Sequence, residues 1–321
     1  MNNSTTGVPT GKSLGVVPVD LNNDGWIDLV VANDTVQNFV FLNQGNGTFK
    51  EQGAASGIAF DTYGNTRGAM GIDAARYRND ANLGIVIGNF ANEMTALYVS
   101  QAGSAFFTDE AIAEGIGPAS RLPLKFGVFF FDYDLDGRLD VLACNGHLEE
   151  EISKIQASQK YAQSAQLFWN CGAASGPCFV NSAADKNGSD LFKPIVGRGS
   201  AYADIDGDGD LDVILTQVNG APMLLRNDQK LGRHWARLKL VGTKSNRDAI
   251  GAWVSIKAGG VTQQRQVMPT RSYLSQSELP LTFGLGSAAG VEAVEIRWPS
   301  GQKQTVANLA ADQLTTITEP K

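Results

Sequence analysis

The sequence predicts an all-β fold: β-propeller blades in four visible repeats, open to membership of a larger ring, followed by a small β-sandwich-like domain. Three observations predict it. An acidic loop recurs three times beside short β-branched runs, a degenerate fourth copy keeps its frame, and beyond residue 230 the loops give way to strands of period two.

The loops read Asp20-Leu-Asn22-Asn-Asp24-Gly25-Trp26-Ile-Asp28, Asp132-Tyr-Asp134-Leu-Asp136-Gly137-Arg138-Leu-Asp140 and Asp204-Ile-Asp206-Gly-Asp208-Gly209-Asp210-Leu-Asp212. Carboxylates packed this densely sit about 4 to 6 Å apart, and at an effective dielectric near 20 each pair at about 4 Å repels by roughly 4 kcal/mol. A bound cation relieves that repulsion. All-oxygen donors without His or Cys select a hard ion, and their number favours Ca²⁺ over Mg²⁺. Positions 1, 3, 5 and 9 then supply side-chain oxygens and position 7 a backbone carbonyl. Three Ca²⁺ sites result: Asp20, Asn22, Asp24, Trp26 and Asp28; Asp132, Asp134, Asp136, Arg138 and Asp140; Asp204, Asp206, Asp208, Asp210 and Asp212. An EF-hand is excluded, because Val31, Ala143 and Leu215 stand where it needs a bidentate Glu.

The degenerate copy places Arg76, Arg78, Asp80 and Gly84 at positions 1, 3, 5 and 9. Two arginines exclude a divalent cation there, and pairing of their guanidinium groups with Asp80 and Asp73 is expected instead. Repeat origins at 20, 76, 132 and 204 give intervals of 56, 56 and 72 residues. Each repeat has a second half: Asn38–Phe49 reads as strand, Gly-rich turn, strand, and Thr95–Phe107 echoes it. Four strands per interval is the content of a propeller blade. The longer third interval holds an insertion, and Leu148–Phe168, apolar at 148, 152, 155, 161, 165 and 168, is expected to form a short amphipathic helix on the blade edge. After Met223–Asn227 the last repeat moves on without an evident outer strand.

Residues 1–230 are therefore read as repeats and 231–321 as a second, all-β domain joined by the polar stretch Asn227–Arg233. Trp235–Val241, Ala252–Ala258 and Val291–Trp298 alternate as strands with one buried and one wet face.

The repeats resemble the FG-GAP or VCBS type, the Ca²⁺-loop blades of integrin α-chain heads. Asn246–Ala252, Ser272–Ser277, Phe283–Gly286 and Arg297–Gly301 resemble the ASPIC/UnbV domain that follows such blades in bacterial homologues of cartilage acidic protein; Asn145, Gly146 and His147 are further family-like residues. The resemblance implies a ring of usually seven blades. Four repeats then mean either a small ring or an N-terminally truncated one, whose open strand edges must pair or be covered and would leave oligomer formation open. Residues 1–12 are polar and lack the apolar core of a signal peptide.

The formal charge of −7 argues against nucleic acid, and three Ca²⁺ would bring it to −1. No apolar run reaches the length of a membrane span. Cys171 and Cys178 flank a Gly/Pro turn that a disulfide would close, with free thiols as the alternative, and Cys144 reads as a small buried hydrophobe. Ca²⁺ sites and an oxidising environment together point to an extracellular or periplasmic location. The only histidines, His147 and His234, read as structural, and no motif supplies a nucleophile with a base. Arg247, Asp248, Arg271, Tyr273 and Trp298 are the candidates in the second domain. The favoured function is a secreted Ca²⁺-stabilised binding or adhesion module for a protein or carbohydrate. The alternative is a biosynthetic or carbohydrate-active enzyme with its site in the propeller funnel or the second domain.

Overall fold

Each acidic loop closes a β-hairpin, so the repeats become antiparallel sheets whose strands follow chain order. The computed structural model describes residues 9–101, 103–172 and 177–321. Blade 1 is β1 (Ser13–Val19), β2 (Asp28–Asn33), β3 (Phe39–Asn43) and β4 (Phe49–Glu51). Blade 2 is β5 (Ala69–Ala75), β6 (Gly84–Asn89), β7 (Ala96–Ser100) and β8 (Phe107–Asp109). Blade 3 is β9 (Lys125–Phe131), β10 (Asp140–Asn145), β11 (Gln166–Asn170) and β12 (Phe179–Asn181). Among the described residues, blade 4 has three strands, β13 (Gly197–Ala203), β14 (Asp212–Gln217) and β15 (Met223–Leu225).

Period-two alternation lets one strand serve two interfaces. In β9, Val128 and Phe130 pack toward blade 2, against Tyr77, Val86 and Val99. Phe129 and Phe131 point the other way, against Leu211, Val213 and Leu215 of blade 4. Burying each such side chain stabilises by about 1.5–3 kcal/mol, so the blades are held by the layers between them. On the far face of blade 4, Ile214 and Leu224 are register partners and remain exposed.

The inner strands touch in series, β1 on β5, β5 on β9 and β9 on β13. Glycine makes this approach feasible. A Cβ on Gly71 would lie 2.1 Å from the Phe126 carbonyl oxygen, and one on Gly127 would lie 2.3 Å from Ser200 Oγ. Gly15 and Gly199 hold the same place, five residues before their loops.

From His234 onward two further sheets pack face to face. One contains β16 (His234–Val241), β21 (Leu281–Gly286) and β24 (Leu314–Thr318). The other contains β17 (Trp253–Ala258), β18 (Val261–Gln266), β22 (Gly290–Arg297) and β23 (Lys303–Ala310). Leu238, Val254, Ile256, Phe283, Val294, Ile296 and Trp298 form the core between them. A hairpin of β19 (Thr270–Arg271) and β20 (Ser275–Gln276) leaves these sheets and enters the propeller axis, with β19 against β1 and β5, and β20 against β13. Its turn residue Ser272 exchanges backbone hydrogen bonds with Ile72, at 2.9 and 3.2 Å. The Ser272 hydroxyl meets Ser200 Oγ at 2.9 Å and accepts from the Val128 N–H at 3.1 Å.

Two expectations are corrected. In the insertion only Ile152–Ile155 is helical, and the end of the stretch, from Gln166, belongs to β11. A helix there would have left β10 and β12 without the partner that β11 provides. Buried glutamines hold the rest: Gln163 Oε1 accepts from the Leu124 N–H at 2.9 Å, and Gln159 donates to the Leu122 carbonyl at 2.9 Å. Leu148 and Ile155 stay exposed. Cys171 and Cys178 are free thiols, and the backbone closes their turn through Cys171 N–H donating to the Cys178 carbonyl at 2.7 Å. Burial, then the neighbouring Glu114, pushes the Cys178 thiol up to about 12.

Candidate metal centres

The three acidic loops share one hydrogen-bond scheme. The position-1 carboxylate accepts from backbone N–H groups inside its own loop: Asp20 from Asp24 and Gly25, Asp132 from Asp136 and Gly137, Asp204 from Gly207 and Gly209. The position-9 carboxylate crosses the hairpin. Its Oδ2 accepts from the position-2 N–H, as in Leu21→Asp28, Tyr133→Asp140 and Ile205→Asp212. Its Oδ1 accepts from an Asn at or just beyond the third strand, Asn43, Asn170 or Asn227, at 2.7–2.8 Å.

These asparagines were not singled out from the sequence as part of the loops. They stand at one register position in each acidic blade, and in blade 2, where position 9 is Gly84, the equivalent residue is Ser100. The loss of Asp and Asn together in the degenerate repeat was the available signal.

The carboxylates at positions 1, 3 and 5 converge. In Asp132, Asp134 and Asp136, and again in Asp204, Asp206 and Asp208, one ligand oxygen from each lies within 4.8 Å of the others. Burial, then the neighbouring Asp136, raises Asp132 to about 7, and burial followed by Asp132 puts Asp140 well above the usual carboxylate range. Burial also raises Asp28, Asp136 and Asp208, and lifts Asp210 to about 6. Asp134 directs Oδ2 to Trp169 Nε1 and Arg233, while its buried Oδ1 has no partner. A carboxylate oxygen without a donor, among oxygens too close to share negative charge, fits a hard cation. These acidic clusters are competent to bind a metal ion.

The degenerate loop departs from the expected ion pairs. Arg76 donates to Asn23 Oδ1 of the preceding loop at 2.9 Å and stacks on Trp253 at 5.1 Å. Arg78 reaches Glu110 and Glu114, and Asp73 is paired instead with Arg271 at 3.1 Å. Asp80 caps its own turn, accepting from the Asn82 N–H. The physical reason is reach: the long arginines extend beyond their loop to partners on neighbouring strands and sheets.

Position 1 of every repeat meets the C-terminal sheets. Arg297 reaches Asp20 at 2.9 Å, Trp253 covers Arg76, the Gly284 N–H donates to Asp132 at 3.2 Å and Arg237 reaches Asp204 at 2.5 Å. Among the other candidates, Trp298 fills the C-terminal core, Tyr273 packs edge-on against Phe126, and Arg247 is exposed beside Asp248. His147 Nδ1 accepts from the Glu149 N–H, and its ring meets Phe90 of blade 2 edge-on. His234 pairs with Asp312. Cys144 is enclosed, and burial pushes its thiol up to about 12.

Residues 20–87 match the FG-GAP-like repeat family, and residues 242–321 match the family described as ASPIC and UnbV. The chain joins FG-GAP-like repeats to an ASPIC and UnbV segment. It is homologous to cartilage acidic protein 1, with 27% identity to the Mus musculus protein over 317 residues, covering 96% of this chain and 45% of that protein. The Xenopus tropicalis protein is 28% identical over 302 residues, covering 91% and 42%. The chain spans less than half the length of these relatives. Among solved structures, an Agrocybe aegerita lectin that recognises non-reducing terminal N-acetylglucosamine aligns with a TM-score of 0.41 at 15% identity, covering 95% of this chain and 81% of that one. The fucose-specific lectin of Aleuria aurantia aligns with a TM-score of 0.37 at 8% identity, covering 95% and 99%. No helix among the described residues is long and apolar enough to cross a membrane.

Proposed function

We propose that this chain is a secreted, Ca²⁺-stabilised propeller module that binds a protein or carbohydrate ligand, with Ca²⁺ as scaffold in the loops at Asp20, Asp132 and Asp204. The observation that carries the metal reading is the repeated scheme in which position 1 organises the loop and position 9 ties it to the third strand, leaving Asp134 Oδ1 unpartnered. When bound, Ca²⁺ supplies neutralisation of converging carboxylates and a link between the two sides of the hairpin. Positions 1, 3, 5 and 9 would hold it by side chain, and Trp26, Arg138 and Asp210 by carbonyl. The division at residues 230 and 231 follows the change from loop-bearing sheets to the strands that open with His234. Extracellular or periplasmic location is supported by the need for abundant Ca²⁺ and by the cartilage named in the relatives.

Linkage supplies the test. A ligand that binds only the folded state stabilises by about 2.7 kcal/mol per site when present at roughly 100 times its Kd. Chelator is expected to lower the melting temperature by several degrees, and excess Ca²⁺ to restore it. A melt indifferent to chelator overturns the scaffold reading. Binding is tested separately by screening the Ca²⁺-loaded chain against immobilised glycans and extracellular-matrix proteins. Retention of none of them removes the ligand assignment and leaves the metal result standing.

A further inference from the structure

A cavity of about 50 Å³ lies between the blade inner strands and the C-terminal sheets. At about 10–15 Å³ per water it has room for roughly three to five. Five of its lining residues carry a buried side-chain N–H without an acceptor: Arg76 Nε, Trp253 Nε1, Arg265 Nε, Gln266 Nε2 and Arg271 Nε. The lining carboxylates are already engaged. Asp73 accepts from the Ala74 and Phe130 N–H groups and from Arg271. Asp132 takes three backbone N–H groups, and Glu278 takes Arg237 and the Asp204 N–H. Among the described residues, none of the buried side-chain oxygens of the lining lacks a hydrogen-bond partner.

This imbalance selects the ligand class. An unmade hydrogen bond on a buried donor costs about 1–3 kcal/mol. Water accepts from such donors but brings two hydrogens of its own, for which the wall holds no unpartnered buried side-chain oxygen. A group that only accepts is the complement. Charge points the same way. Arg271 has Asp73 as its ion-pair partner, whereas Arg76 and Arg265 make no ion pair within 4 Å and their hydrogen-bond partners are neutral: Asn23 Oδ1 for the first, Gln263 Oε1 and the Gln264 and Gly137 carbonyls for the second; the carboxylates that face them, Asp20 and Asp80 for Arg76 and Asp132 for Arg265, act only through space.

We propose that this cavity binds one small oxyanion, of the size of sulfate or a carboxylate group, between Arg76 of blade 2 and Arg265 of β18. The anion bridges the propeller and the C-terminal sheets, so its binding stabilises their docking. Sulfate is the probe, with chloride at equal ionic strength as reference. At roughly ten times its Kd, sulfate is expected to raise Tm by about 2 °C. Gln266→Glu places a carboxylate in the cavity; this variant is expected to melt higher than the parent in chloride and to lose the sulfate-specific increment. Because sulfate also stabilises proteins by exclusion from their surface, the difference between parent and variant is the readout. Arg265→Met is expected to lose the increment without the gain in chloride. Equal sulfate shifts in the parent and Gln266→Glu overturn the proposal, whether or not Arg265→Met folds.

Discussion

Asn170 shows how much one side chain contributes to a loop it does not belong to. Its backbone N–H caps Asp140, its amide donates to the Leu139 and Tyr77 carbonyls, and its Oδ1 accepts from the Gly172 N–H. Asn170→Ala leaves two buried carbonyls unpaired and is expected to cost about 2–3 kcal/mol in denaturant unfolding. Its half-buried counterpart Asn43→Ala should cost less. Glu319 carries a pH signature. Burial pushes its pKa up, but the Ser300 hydroxyl and then the Ser245, Thr243 and Lys244 N–H groups outweigh that and hold it at about 2. Its folded pKa lies below the unfolded value of 4.5, so its stabilisation is complete above about pH 4.5 and is lost as pH falls toward 2. Wild type should therefore melt above Glu319→Gln near neutrality, with the gap narrowing below about pH 4.5 and closing only toward pH 2. Neither residue announces its role in the sequence, since Asn and Glu are common in loops and their partners lie far along the chain. Lys125 is less legible still: fully buried, its ammonium donates to the Glu93, Ser120 and Pro123 carbonyls.

At the scale of elements, the loop-and-strand frame was readable because metal-ligand spacing and period two are local patterns. Asp20, Asp132 and Asp204 each open a hairpin, as their alternation with β-branched runs predicts. The 148–168 insertion was misread because its apolar spacing matches a helix, whereas neighbouring strands of blade 3 recruit its end. The axis was also hidden. Gly15, Gly71, Gly127 and Gly199 recur at the repeat intervals, but single glycines do not reveal which backbone approaches them. Gly127 faces Ser200 and Ser272, the point where the hairpin enters. Gly127→Val is expected to force β9 from β13 and destabilise by at least about 2 kcal/mol, with near-ultraviolet circular dichroism reporting loosened aromatic packing. An unchanged melt and spectrum would show that the inner strands have slack.

Across the whole molecule, the second half of the chain closes onto the first. The C-terminal sheets touch position 1 of all four repeats, and their hairpin packs on inner strands from both ends of the blade series. This docking is not legible in the sequence, because Arg237 and Arg297 find carboxylates 33 and 277 residues away. Under the proposed function, three loops carry Ca²⁺ and the Arg76 loop carries none. Native mass spectrometry of the Ca²⁺-loaded chain measures this directly. It should report three ions per chain, and two in Asp136→Ala with the fold retained. A chain that carries no ion, or a count unchanged by Asp136→Ala, would contradict it.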